Sequence, residues 1–498
     1  MVDGTRSGRS SGRVSIRIVT RIAVTATVLL VSAGVASANV TLTKLSSDPY
    51  TNTTSSHRTE VEPDTFSFGS TIVSAFQVGR FYDGGSSDIG WATSADTGSS
   101  WANGFLPGIT KFQGAGPYDR VSDPSVAYDA AHNTWLISSL ALSEAGGVHG
   151  AAVLVSRSTD GGLTWSNPVT VAIGGDLDKN WTVCGNTPNT VSYGRCYTEW
   201  DDHGAGNLIQ MSTSTDGGLT WGAAKTTANR ATGLGGQPVV QPNGTVIVPI
   251  NNANETAVLA FRSTDGGDTW SATTTVTSIV DHTVAGNLRS GPLVSSEIDG
   301  AGTVYVVWQD CRFERGCKSN DIVMSTSADG LSWSSVVRVP IGGTNGQIDR
   351  FLPGIGVDPS TSGAGAHLGL TYHYYPSARC STSTCRLQVA FVSSADGGAT
   401  WSPPTDLAGP MVLTWLAQTS QGYMAGDYIS TSFAGSTARG VFPVANAPAG
   451  NVFDEAMYSP AAGLGVLTGS AVVTSSGQYP IANAASDHAA PQAPMTHR

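Results

Sequence analysis

The chain has 498 residues, of which 60 are glycine, 24 are proline and 13% are charged. That is the profile of a large all-β domain with many turns, and it speaks against α/β and coiled-coil architectures. With 26 Lys plus Arg against 37 Asp plus Glu the net charge is −11, which excludes electrostatically driven nucleic-acid binding because phosphate contacts need clustered basic side chains.

Residues 1–38 read as a signal peptide. Arg6, Arg9, Arg13, Arg17 and Arg21 precede an apolar run from Ile22 to Gly34, and Ala36-Ser37-Ala38 offers a small-residue cleavage site. The run is shorter than the roughly 20 residues a spanning helix needs, so no stable membrane span is expected after cleavage; retention as an N-terminal anchor is the competing reading. Cleavage after Ala38 leaves 21 basic and 36 acidic residues, a net charge of −15, in a secreted, extracellular protein.

Residues 39–460 are built from two recurring elements. The first is a short turn sequence: Ser94 to Trp101, then Ser158 to Trp165, Ser214 to Trp221, Ser263 to Trp270, Ser327 to Trp333 with one residue missing, and Ser394 to Trp401. Successive copies start 64, 56, 49, 64 and 67 residues apart, the range of one supersecondary unit plus a variable loop. The Ser and Asp side chains can accept backbone amides within the turn, glycine can take the positive φ that closes it, and the Trp can lock it against neighbouring strands. Alternating apolar residues precede each turn, as in AAVLVSRS from Ala151 and TAVLAFRS from Thr256, so a strand enters a hairpin there.

The second element opens each unit with a polar or charged residue, usually a Pro, and an alternating strand. Examples are Glu62-Pro63-Asp64, Arg120 to Pro124, Asp178-Lys179, Gln237-Pro238, Arg289 to Pro292, Asp349 to Pro353 and Asp427-Tyr428. A full unit reads strand, strand, strand, Asp-bearing turn, strand, and radial repetition of four antiparallel strands is a β-propeller. Seven blades are preferred to six: the segment from Asp427 to Pro460 supplies three strands of a seventh, and VTLTKL from Val40 supplies its outer strand. Residues 461–498 form an Ala, Ser, Gly and Pro-rich C-terminal tail. Six cysteines fall into three close pairs, Cys184 with Cys196, Cys311 with Cys317 and Cys380 with Cys385, each expected to close one loop as a disulfide in an oxidising compartment.

The six turns match the Asp-box, or bacterial neuraminidase repeat, so the chain resembles the sialidase and Asp-box propeller superfamily over residues about 60 to 401. That family contains exo-sialidases, other glycoside hydrolases and non-catalytic binding propellers. The resemblance implies that the Asp-boxes lie away from the usual active site, whose mouth the unit starts would line. It maps a carboxylate clamp onto Arg120, Arg289 and Arg350, since a planar fork matches a planar anion. Asp123 or Asp178 becomes the general acid, and Tyr372 or Tyr428, with Glu199, a nucleophile pair. The family's Arg-Ile-Pro signature is absent, and Arg120 to Pro124 and Arg350 to Pro353 only approximate it. A two-carboxylate hydrolase design is the other enzymatic option. The expected function is a sialidase-like exo-glycoside hydrolase, with a non-catalytic carbohydrate- or protein-binding propeller as the alternative. The expected partner is a carbohydrate or cell-surface glycan, met by a monomer with no cofactor; a structural Ca²⁺ is left unassigned.

Overall fold

The computed structural model describes residues 40–450 and 452–472; the signal segment and the end of the tail lie outside them. Among the described residues regular structure is β-strand with four 3-10 turns. Each repeat folds as an antiparallel sheet whose strands follow chain order. The first runs Glu60–Phe68, Thr71–Arg80, Ser86–Ser94 and Ala102–Phe105. The second runs Arg120–Asp129, Thr134–Ser143, His149–Ser158 and Val169–Ile173, joined to the first through the single pair Ser86 and Val121. The same order recurs from Leu177, Gly233, Ser295 and Asp349.

The final sheet orders Ser430–Ala434, Thr437–Ala445 and Glu455–Pro460, and its outer edge is covered by Leu42–Lys44, which pairs antiparallel with Glu455–Pro460. The N-terminal strand thus covers an edge that would otherwise offer unpaired backbone groups. The tail is not wholly separate: Leu464–Gly465 pairs with Thr437 and Ala438, and Ala471–Val472 pairs with Thr400 and Trp401. Leu464 and Val466 pack on the core beneath them, so enough apolar surface survives there to hold the chain past the expected boundary.

Apolar side chains gather between neighbouring sheets. Val73, Ile89 and Trp91 of the first sheet meet Tyr128, Trp135, Ile137 and Leu154 of the second, and Tyr197 and Ile209 of the third meet Val248 and Phe261 of the fourth, with Trp270 beside them. Both faces of most strands are therefore buried, and Thr71–Arg80 is buried at every position but its first.

The Asp-boxes form as their residues dictate. In the second copy Ser158 Oγ donates to Asp160 Oδ1 at 2.7 Å, Gly162 N donates back to Ser158 Oγ at 2.9 Å, and Thr164 N donates to Asp160 Oδ1 at 3.0 Å. The Trp165 indole closes the turn on Gly162 O at 3.0 Å. The turns are also stitched to one another: Arg157 Nε donates to Gly217 O, Arg195 to Gly266 O and Arg262 to Asp329 O, at 2.5, 2.9 and 2.6 Å. Three disulfides join Cys184 to Cys196, Cys311 to Cys317 and Cys380 to Cys385, the expected pairs.

Candidate functional site

The first strands of the repeats share a local irregularity. Glu62, Asp123, Lys179 and Leu352 are all left-handed, with φ of 55°, 45°, 52° and 48°, and each sits in a register shift of its strand. A non-glycine residue in this region costs about 1–2 kcal/mol. Bulges re-aim a side chain where a straight strand would not. Here they turn Glu62, Asp123 and Lys179 into one buried charged group with Asp427 and Arg289.

Asp427 is its centre. Arg289 Nε donates to Asp427 Oδ1 at 2.6 Å and Arg289 Nη2 pairs with Oδ2, completing a bidentate contact, while Lys179 Nζ donates to Oδ2 at 2.5 Å. Lys179 also lies 3.9 Å from Asp123 Oδ1. The Asp427 amide donates to Glu62 Oε1 at 3.2 Å, and Glu62 Oε2 accepts from Gln77. Arg80, fully buried, donates to Gln77 Oε1 at 2.8 Å. Its Nε and Nη2 meet no partner among the described residues and are sealed from solvent.

Burial disfavours every charge in this group, and the outcome depends on neighbours. It would raise Asp427, but Arg289 and Lys179 outweigh it and hold that carboxyl well below the ordinary range. Glu62 is pushed up to about 7, by burial first and then by Asp427, against the pull of Lys179. Glu255, half-buried on the loop Asn252–Thr256, is likewise raised to about 7 by burial and Asp427. Arg80 falls to about 10 through burial and the like charge of Arg289. The site thus combines a permanently ionised carboxylate with two carboxyl groups poised near neutrality, a spread that suits acid and base roles. Below it, Tyr428 donates to Pro124 O at 3.2 Å and meets Trp181 edge to face, ring centroids 5.2 Å apart. Among the described residues no group of three or more His, Cys, Asp and Glu is spaced to hold a metal ion.

Residues 140–352 match the family model for a BNR repeat-like domain, and this match falls on the Asp-box sheets just described. The chain is an all-β propeller with Asp-box turns, and over those residues it is similar to BNR-repeat proteins. A xyloglucanase from Paenibacillus sp. is 28% identical over 201 residues, which is 38% of this chain and 19% of that protein. The match therefore spans about a fifth of that relative's length. Among solved structures, an ulvan lyase is 10% identical with a TM-score of 0.50, covering 87% of the propeller chain and 98% of its own. A Trypanosoma rangeli sialidase in complex with sialic acid is 13% identical with a TM-score of 0.44, over 72% and 58%. At these identities the structural likeness concerns the fold.

The propeller separates the residues that sequence grouped. Arg289 and Asp123 enter the Asp427 group, and Asp178 adjoins it through Lys179, whose amide donates to Asp178 Oδ1 at 3.1 Å. Arg120 is elsewhere, donating to Glu144 Oε1 at 2.8 Å and to Asp83 Oδ1 at 2.5 Å, with its guanidinium 4.1 Å from the Phe81 ring centre. Arg350 donates to Asp321 Oδ1 at 2.7 Å beside Arg338. The three guanidinium groups share no partner. Tyr372, pushed up by burial, faces Arg350, Asp406 and Asp321, whereas Glu199 lies beside Asp201. Lys179, Glu62 and Glu255 are absent from the site residues to which the sequence pointed. The first two stand at unit starts equivalent to Asp123, and that equivalence was the available signal; Glu255 sits in an ordinary polar loop that carries none.

Proposed function

We propose that this propeller is a secreted glycan-processing enzyme, a sialidase-like exo-glycoside hydrolase, whose site is the charged group at the unit starts. The observation that carries the reading is the convergence of Glu62, Asp123, Lys179, Arg289 and Asp427 on one buried spot beside Glu255, reached through left-handed backbone at three of those positions. Glu255, raised to about 7, serves as the proton donor to the leaving oxygen. Asp123 is the opposing carboxylate, and Arg289 and Lys179 fix the ionised Asp427. Three cations, Arg80, Lys179 and Arg289, offset the carboxylates of Asp123 and Asp427 and the carboxyls of Glu62 and Glu255, so this spot lacks the acidic excess of the chain as a whole, whose net charge is −11. Arg120, Arg350 and Tyr372 then act as braces between loops and strands. The BNR-type match and the xyloglucanase relative support a role on glycans. The same reading counts seven blades and an exported, monomeric chain, consistent with three disulfides.

One observation favours the second reading, a binding propeller: Asp427 satisfies both Arg289 and Lys179, leaving fewer free donors for a substrate anion. Release of 4-methylumbelliferone from its sialoside and from neutral glycosides separates the two. Turnover of the sialoside that drops roughly ten- to a hundredfold in Arg289→Lys, where the paired donors are lost but the charge is kept, supports the hydrolase. Glycan binding without turnover of any glycoside supports the binding propeller.

A further inference from the structure

The first strands of the sheets line a channel that holds a chamber of about 260 Å³, with Trp181 on its wall. Phe68, Thr187 and Pro359, all exposed, stand where its lining meets solvent. Its walls mix apolar side chains, Phe66, Val239, Ile355 and Phe433 among them, with hydroxyl and amide groups such as those of Ser295, Ser432 and Gln237. Against this wall stand two carboxyl groups, Asp64 and Glu297, and they are the titratable side chains that line the chamber. Asp64 accepts from Val126 N at 2.7 Å and Ser430 Oγ at 3.0 Å. Neither carboxyl forms an ion pair among the described residues, and no Lys or Arg lines the chamber.

We propose that this chamber is a binding site for a small organic cation, a primary ammonium on an apolar or aromatic body. Charge complementarity selects a cation: two carboxyls without counter-ions in this chamber lack the partner that buried charges require. Phe66, Phe68 and Trp181 are among the lining residues, and aromatic rings attract an ammonium by cation–π interaction. The apolar side chains Phe66, Val239 and Phe433 offer contact to an organic body, and among the described residues no group of three or more His, Cys, Asp and Glu is spaced to hold a metal ion. The volume exceeds the roughly 150 Å³ of a cavity that holds benzene, so a single-ring amine fits. Burial raises Asp64 to about 7 and Glu297 to about 8, the latter also through the charge of Asp64. An entering ammonium favours the ionised carboxylates, and the displaced proton goes to solvent.

Isothermal titration of the purified full chain with 2-phenylethylamine and its neutral counterpart 2-phenylethanol tests the proposal. At pH 8.5 the amine is expected to bind about ten- to a hundredfold more tightly, the range of a charge-assisted contact. At pH 6, where both carboxyls hold protons, the preference should shrink, and titrations at pH 7 in two buffers should report proton release. Glu297→Gln should abolish the preference while leaving alcohol binding in place. Thr187→Trp, which fills the entrance from an exposed position, should weaken both ligands without disturbing the core. Equal affinity for amine and alcohol, a preference that survives Glu297→Gln, or tighter binding of methyl glycosides than of the amine would each overturn it.

Discussion

Asp427 shows how a buried charge is held by its neighbours. Two cations stabilise it, so removing it strands both in a dry environment. Asp427→Ala is expected to cost about 3–5 kcal/mol in stability, read by urea unfolding; a loss under about 1 kcal/mol would mean that Lys179 and Arg289 find other partners. The Asp-box aspartates behave differently because they face water. In Asp96 the Ser100 hydroxyl and amide lead the hydrogen bonds that lower the carboxyl to about 2. Asp216, which accepts from Thr220 N at 2.9 Å and Thr220 Oγ1 at 2.6 Å, is half-buried, and each lost bond is worth about 0.5–1.5 kcal/mol before solvent compensates. Asp216→Ala should therefore lower the melting temperature slightly and leave glycan turnover intact, and a lost turnover at unchanged melting temperature would put the Asp-boxes in the site. Residues such as Asp216 were legible in the sequence because the repeat prints them six times. Lys179 and Glu62 were legible only as polar unit starts: their roles depend on a left-handed kink that no side-chain pattern announces.

Elements were easier to read than residues, since period-two alternation ending in a repeated turn fixes strand order and sense. The covering strand Leu42–Lys44 follows the same logic, and its neighbour Leu45 is fully buried against Phe76, Val441 and Met457. Ser46 Oγ donates to Glu60 Oε2 at 2.6 Å and accepts from Met457 N at 2.8 Å, which ties the N-terminal segment to both the first and the last sheet. Leu45→Ala should cost about 2–5 kcal/mol, measured by chemical unfolding; a near-neutral effect would show that this segment does not hold the fold. Tail segments such as Leu464–Gly465 escaped the sequence reading because two-residue pairings leave no periodicity. Loop positions escaped it for another reason. Arg120 and Arg350 both stand at unit starts, yet Glu144, just past the strand Thr134–Ser143, holds one and Asp321, at the head of the strand Asp321–Ser327, holds the other, so equivalence in sequence did not become convergence in space.

For the whole molecule, the buried carboxyls set the response to pH. Glu60 and Glu297 are raised to about 8, and Glu62, Asp64 and Asp349 to about 7, in each case by burial first. Between about pH 4.5 and 8 the folded state therefore holds protons that the unfolded chain has released. Stability is fully present below the unfolded values and is lost as pH rises through the folded ones. The melting temperature should be higher at pH 5 than at pH 8.5, and calorimetry showing the reverse would contradict these assignments. The radial count is open to direct inspection as well: a crystal structure should show seven sheets around the channel, and six would remove Asp427, and with it the centre of the site, from the ring.

Whether the charged group at the unit starts performs chemistry on glycans is tested most directly by a single substitution. Glu255 is the residue to change, because it is half-buried on a loop and is assigned the proton donor. Turnover of an active glycoside by folded Glu255→Gln protein, matched to wild type in melting temperature, is expected to fall by about a hundredfold to ten-thousandfold, the contribution of a positioned general acid. Unchanged turnover in that variant would contradict the placement of the site.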